Sequence, residues 1–279
     1  MPPAALASAV VTDLMVLYHP SSTVPPTPTP EARMWRRIEK ELYLHLSMQR
    51  AWLHVALACE EELAAEELVV VDIRVGERPP DFVGGVWEPR SGGIWLRREK
   101  YSNIIEEAVT EVDVLFGTDA VEPRLGWTIR GKPLELSGEM TGPVPRLSVR
   151  RGRATASCDT LRVEDGGGFK IVQVSDLHMV TGVGLCDDAM DAVGNHLPAT
   201  EADPLTVKFI EQILDIEKPN LVILTGDQVH HDVPDSQTAL FKAVGPIVER
   251  SIPFAAVFGN HDSEGTHALS RKWFLSDHG

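Results

Sequence analysis

Two rhythms of apolar and polar residues divide the chain. From Phe169 onward, short strand-like runs alternate with helical stripes. Phe169–Val174, FKIVQV, reads as a buried-type strand ending in Ser175-Asp176-Leu177-His178. A Gly-rich loop follows, and Asp203-Pro204 then opens a helix, with Asp203 expected at the N-cap and Pro204 in the first helical position. Leu205, Phe209, Ile210, Ile213 and Leu214 form its apolar stripe. NLVILTGD is a continuous apolar strand closing on Gly226-Asp227. Asp235–Arg250 carries a second helical stripe of Leu240, Ala243, Val244, Ile247 and Val248. IPFAAVFGNHD then gives a third strand that ends in Gly259-Asn260-His261-Asp262. Strand, helix, strand, helix, strand, with apolar runs throughout, predicts an α/β fold of parallel strands covered on both faces.

The earlier half has a different pattern. Residues 1–30 read as a flexible N-terminal segment. Its apolar start lacks a basic region and carries Asp13, a poor match to a signal peptide. PSSTVPPTPTP then reads as an extended linker. Thr29-Pro30-Glu31 has the residue types of a helix start, so a helix is predicted over 31–67, with Trp35, Ile38, Leu42, Leu46 and Leu53 near one face. ELVVVDIRV, SGGIWLR, VTEVDVLFG and LGWTIRG are short strands between Gly and Pro breaks, which predicts a small β-rich domain over 68–165. No internal repeat emerges. VEDGGGFK marks the boundary to the last domain, 166–279.

Composition narrows the possible functions. A formal charge of −15 leaves no basic stripe for a nucleic-acid backbone. Phosphate remains possible if metal ions supply local positive charge. Cys59, Cys158 and Cys186 are widely spaced, as expected of thiols in a reducing compartment. With no apolar run of the ~18 residues that span a bilayer, the expectation is a soluble, cytoplasmic protein without a membrane partner.

In parallel βαβ units, the carboxyl ends of the strands share one edge, where ligands bind. Asp176-x-His178, Gly226-Asp227 and Gly259-Asn260-His261-Asp262 all fall at that edge. Converging oxygen and imidazole donors describe a divalent-metal site better suited to Mn, Fe or Zn than to Ca. Alone, each short motif carries little weight, and a buried histidine or helix-capping aspartate explains it. Cys186, His196, His267 and His278 have no ligand spacing and read as structural or exposed.

Together these motifs resemble the first three of the calcineurin-like metallophosphoesterases. FKIVQVSDLHM, TGVGLCDD, EADPLTVKFI, EKPNLVILTGDQV, FGNHDSEG and VDVLFGTDAVEPR are similar to the fungal branch of dosage-dependent cell-cycle-regulator phosphatases, related to purple acid phosphatases. The resemblance implies a two-metal phosphoester hydrolase acting on a phosphorylated small molecule or phosphoprotein, with a phosphodiesterase or a non-catalytic regulatory module as alternatives. It implies that Asp176 and His178 hold one ion, that Asp227 bridges two, and that Asn260 holds the second. His261 would protonate the leaving oxygen, with Asp262 orienting its imidazole.

The chain departs from the family pattern in three places. Purple members carry a tyrosine where His230 stands, and His230 could offer a nitrogen instead. Relatives place an arginine where Asp187 stands. The family's later GH and GHxH histidines do not occur after Asp262, nor does its second sheet. The expectation is therefore the front half of the family's βαβαβ sandwich, inactive as a fragment, with sheet residues Ile171, Val222, Ile223, Ala255 and Val257 left without cover.

Overall fold

A computed structural model describes residues 9–20, 34–44, 49–64, 66–80, 86–101, 105–138, 140, 142–154, 161, 163, 166–186 and 188–265. Most of the Pro-rich linker and Asp187, Cys158, His267 and His278 lie outside them. The chain forms two compact units, Met1–Leu115 with Arg124–Thr155, and Phe116–Pro123 with Ala156–Gly279. No helix among the described residues is long and apolar enough to cross a membrane.

In the first unit, the described residues of 31–67 do not form the expected helix. Strands β2 (Met34–Glu41) and β3 (Gln49–Cys59) take its place, and the apolar N-terminal run is strand β1 (Ala9–Pro20). β3 lies between β1 and β2, antiparallel to both. Every residue from Ala51 to Leu57 is buried. A strand covered on both faces loses the in–out alternation that reveals strands. Its continuous apolar run satisfies a helical period equally well, and only sheet pairing resolves the ambiguity.

The same plan occurs three times, overturning the expectation of no repeat. β4 (Leu68–Val75), β5 (Trp87–Arg90) and β6 (Ile94–Lys100) form a second sheet. β7 (Val109–Phe116), β8 (Trp127–Ile129) and β9 (Pro145–Arg151) form a third. All three place the last strand in the middle: β1-β3-β2, β4-β6-β5 and β7-β9-β8. In β1 and β4 the ladder slips by one residue just before an aspartate, leaving Thr12 and Val71 as the extra residues. Opposite the aspartate, across the middle strand, stands a tryptophan. Asp13, Ala56 and Trp35 make one such row, and Asp72, Arg97 and Trp87 the other.

Asp13, Asp72 and Asp113 each accept the N–H of the following residue, at 2.8, 2.9 and 2.7 Å. Each also faces a base that stands in, or just after, a strand of another sheet. Asp13 meets Arg90 at 2.7 Å, Asp72 meets Arg130 at 3.7 Å, and Asp113 meets Lys40 at 3.7 Å. First sheet to second, second to third and third back to first, the ion pairs close a ring. All six side chains are largely shielded from solvent, and each aspartate has a second base within reach: Arg98 at 3.9 Å from Asp13, Arg151 at 3.8 Å from Asp72 and Arg124 at 2.9 Å from Asp113.

His54, in β3, is 2% exposed, and neither ring nitrogen has a protein hydrogen-bond partner. Burial, with Arg37 directly opposite and His19 nearby, holds its pKa below the usual histidine value. The unfolded chain binds a proton near pH ~6.5, whereas the folded chain resists it. This contribution to stability is therefore present above pH ~6.5 and lost as the pH falls below it. Urea midpoints should drop between pH 7.5 and 5.5, and His54→Leu should shrink that drop. An equal drop in the variant would clear His54 of the effect.

The second unit holds the expected α/β part. β10 (Ile171–Val174), β11 (Leu221–Leu224) and β12 (Phe254–Ala256) are parallel in that order, joined through α1 (Ala202–Glu217) and α2 (Ser236–Glu249). Val172, Val174, Val222, Leu224, Phe254 and Ala256 pack with Ile210 and Leu214 of α1 and Leu240, Ala243 and Ile247 of α2. Both helices thus cover one face, and the other is the face expected to lack cover. Two successive right-handed crossovers moving the same way across a sheet land on the same side. The other face shows Ile171 (50% exposed), Ala255 and Val257 (59% exposed). Val222 is on the buried face, a correction to its expected exposure that follows from its pairing with Val172 and Phe254.

Two details of the helix starts differ from each other. Asp235 caps α2, its Oδ2 accepting the Thr238 N–H at 3.0 Å. Asp203 is not the cap of α1. The N-cap is Glu201, without a side-chain bond, and Asp203 sits buried in the first turn beside Lys242. A buried cation outcompetes a helix end for a carboxylate.

Candidate metal centre

The three strand ends remain zipped beyond the strands themselves. Asp176 N–H donates to Gly226 O at 3.1 Å, His178 N–H to Asp227 O at 3.0 Å, and Met179 N–H to Gln228 O at 2.9 Å. Val257 N–H donates to Leu224 O at 3.0 Å. This extended parallel pairing holds the loops after β10 and β11 side by side. Glycine is needed where the third loop crosses. A Cβ on Gly259 would lie 2.1 Å from Asp227 Oδ1, and one on Gly226 (φ +105°) would lie 2.7 Å from Gly259 N.

Asp176, His178 and Asp227 each present a ligand atom, and these atoms lie within 4.8 Å of one another. All three residues have left-handed backbones, with φ of 57°, 49° and 50°. Non-glycine residues held there cost energy that the surroundings must repay, and such outliers gather at functional sites. Two carboxylates and an imidazole, partly open to solvent, form a donor set suited to a divalent cation. The residues present fit the group.

Asn260 is exposed on the turn after β12, and its neighbour His261 donates its N–H to Asp227 Oδ1 at 2.9 Å. The structure brings Asp176, His178 and Asp227 together, and the chain next to Asn260 is tied to Asp227 through His261. Four imidazoles lie around the group. The rings of His178 and His230 are 5.6 Å apart, those of His230 and His231 4.1 Å, those of His231 and His261 5.3 Å, and those of His261 and His178 5.4 Å. Burial, followed by the neighbouring His231, His178 and His261, lowers the pKa of His230.

One expected role changes hands. Asp262 does not orient His261. It is buried, and its carboxylate accepts N–H groups from Asp227 (2.9 Å), Val229 (2.9 Å) and Gly259 (2.8 Å). It ties the β11 and β12 loops together. The group on the imidazole is Glu264, whose Oε2 is 2.7 Å from His261 Nδ1. A turn closed by Glu264 N–H on His261 O, at 3.0 Å, folds the glutamate back onto the ring. This hydrogen bond raises the His261 pKa, with a further contribution from Asp227. The signal in the sequence is a carboxylate three residues after a histidine. Elsewhere, Cys186 is half-buried and His196 is exposed, away from the donor group.

The comparisons with known proteins meet this geometry directly. Residues 169–278 match the family model described as calcineurin-like phosphoesterase. These residues belong to the calcineurin-like phosphoesterases. The metal-binding chemistry general to that family therefore meets a matching ligand group in this chain.

Phosphatase DCR2 of Saccharomyces cerevisiae is 39% identical over 181 residues, covering 61% of this chain and 29% of that protein. An uncharacterized protein of Schizosaccharomyces pombe is 31% identical over 266 residues, covering 88% of this chain and 47% of its own length. Probable inactive purple acid phosphatase 28 of Arabidopsis thaliana is 38% identical over 119 residues, covering 42% of this chain and 29% of that one. The chain thus spans less than half the length of each of these relatives.

Proposed function

We propose that the calcineurin-like domain is a metal-dependent phosphoester hydrolase acting on phosphomonoesters, phosphoproteins among them. The observation that carries this reading is the convergence of Asp176, His178 and Asp227, on left-handed backbone, at the carboxyl edge of a parallel sheet. Asp176 and His178 would hold one ion, Asp227 would face two, and Asn260 would offer a carbonyl oxygen to the second. Manganese, iron or zinc, when bound, supplies positive charge for the phosphoryl oxygens and lowers the pKa of a bound water. His261 holds a proton for the departing oxygen, because Glu264 takes one ring N–H and leaves the other nitrogen for the substrate. Carboxylate pairing keeps that imidazole protonated to higher pH, as a general acid requires.

A second reading is a metal-binding domain that does not hydrolyse esters. It is favoured by the relatives in Arabidopsis thaliana whose names describe them as probable inactive purple acid phosphatases. Titrating the purified chain with Mn²⁺ by calorimetry, followed by p-nitrophenyl phosphate assays with and without a chelator, separates the two. Saturable binding with chelator-sensitive turnover is expected for the hydrolase. Binding without turnover would establish the second reading, and turnover that survives complete metal removal would overturn both.

A further inference from the structure

His178 turns its two ring nitrogens toward two different neighbours. Nε2 lies 3.8 Å from Asp176 Oδ1, on the side of the donor group, and Nδ1 lies 3.5 Å from His230 Nδ1. The two rings meet edge-on, inclined at 68°. That arrangement suits an N–H of one ring aimed at the lone pair of the other.

We propose that His230 is a positioning residue for the metal centre, accepting the Nδ1–H of His178 and so fixing the tautomer whose Nε2 lone pair faces the donor group. The inference rests on the metal-dependent reading above. The direction of the bond follows from the chemistry. A ligating nitrogen is unprotonated, so the single proton of a neutral imidazole must sit on the other nitrogen. An acceptor behind a ligand histidine holds the ring in orientation and makes it a better donor.

Two further observations support this role over that of an additional ligand. The donor group consists of Asp176, His178 and Asp227, and His230 contributes no atom to it. The His230 backbone N–H also donates to Met179 O at 2.9 Å, next to His178 in the zipped loops. The backbone that places the ligand histidine therefore also places its acceptor.

The test uses the whole chain with ¹⁵N-labelled histidine, in wild type, His230→Phe and His230→Gln, with His178 assigned from a His178→Gln spectrum. Two-bond ¹H–¹⁵N correlations report which nitrogen carries the proton, and calorimetry with Zn²⁺ reports affinity. Wild type should show His178 protonated at Nδ1, and His230→Phe should show a mixture of tautomers with Zn²⁺ affinity lower by ~10–100-fold. His230→Gln, which keeps an acceptor, should recover most of that loss; if the Phe variant misfolds, the response of the wild-type His230 nitrogens to Zn²⁺ carries the test.

The proposal falls if the His178 tautomer is unchanged in His230→Phe, or if Zn²⁺ shifts a His230 nitrogen as it would a ligand. Equal Zn²⁺ affinity in all three proteins would also overturn it while leaving the metal reading intact. A wild type that takes up no Zn²⁺, but whose His178 tautomer still depends on His230, would overturn the metal reading and leave the contact standing.

Discussion

Asp227→Ala should abolish metal binding by the chain, lowering Mn²⁺ affinity by more than the ~10–100-fold typical of residues that only support a ligand. Asp227 is one of the three residues of the donor group, and its other functions are few. Its Oδ1 accepts the His261 N–H, and its own N–H goes to Asp262. Asp227→Asn keeps the shape and an acceptor for His261 but loses the charge, so it should weaken binding with little change in fold. His261→Ala provides the contrast, since its ring is held by Glu264 outside the donor group. That variant should keep metal affinity near the wild-type value and lose turnover by ~10²–10⁴-fold. Calorimetry beside single-substrate kinetics on the three variants checks the assignment. Equal metal loss in Asp227→Ala and His261→Ala would show that the imidazole is a ligand and the proposed division of labour is wrong.

How much of this could be read from the sequence depended on where tertiary structure overrides local pattern. In the second unit, each strand is a short apolar run and each helix a clear stripe. The motifs fall at strand ends, where parallel topology gathers them. Asp176, His178 and Asp227 are therefore legible as partners from the sequence alone. Asp262 and Glu264 were not separable in the same way. Both are carboxylates close to His261 in sequence, and only the turn from His261 to Glu264 decides which one reaches the ring. Asp203 had the right residue type and position for an N-cap, yet a buried ammonium drew it inward.

The first unit hid its order for a different reason. β3 is apolar on both faces and rich in good helix formers, so propensity and period both favoured a helix until β1 and β2 were paired to it. Its threefold plan left only a faint mark in the sequence. One aspartate stands inside each of three apolar strands, in TDLMV, VDIRV and VDVLF. From the sequence, Asp13 is only a flaw in an apolar leader. Its meaning lies in Arg90, a residue distant in the chain that the fold brings to 2.7 Å.

Lys242→Met should destabilise the second unit by about 3–5 kcal/mol, the usual consequence of removing one partner from a buried ion cluster. Lys242 is 2% exposed on α2, where every ammonium hydrogen has an acceptor: Asp119 Oδ2 at 2.9 Å, Gly182 O at 2.5 Å, and Asp203 Oδ2. Asp203 is 4% exposed, and its carboxylate also receives the Val180 N–H at 2.9 Å. Methionine preserves most of the aliphatic volume, so the loss would report charge rather than a cavity. It would leave two carboxylates with no cation, one of them in the segment Phe116–Pro123. That segment belongs to the second unit although it lies between β7 and β8 in the chain. Phe116 is fastened in the same way, its N–H donating to Thr238 Oγ1 of α2 at 3.0 Å. Adding Asp203→Asn to Lys242→Met should recover part of the loss, because one stranded charge is removed while the Val180 acceptor remains. Urea unfolding of wild type, single and double variants measures both effects. A single-variant loss below ~1 kcal/mol, the range of exposed ion pairs, would mean that solvent reaches the cluster and that it does not hold the segment in place.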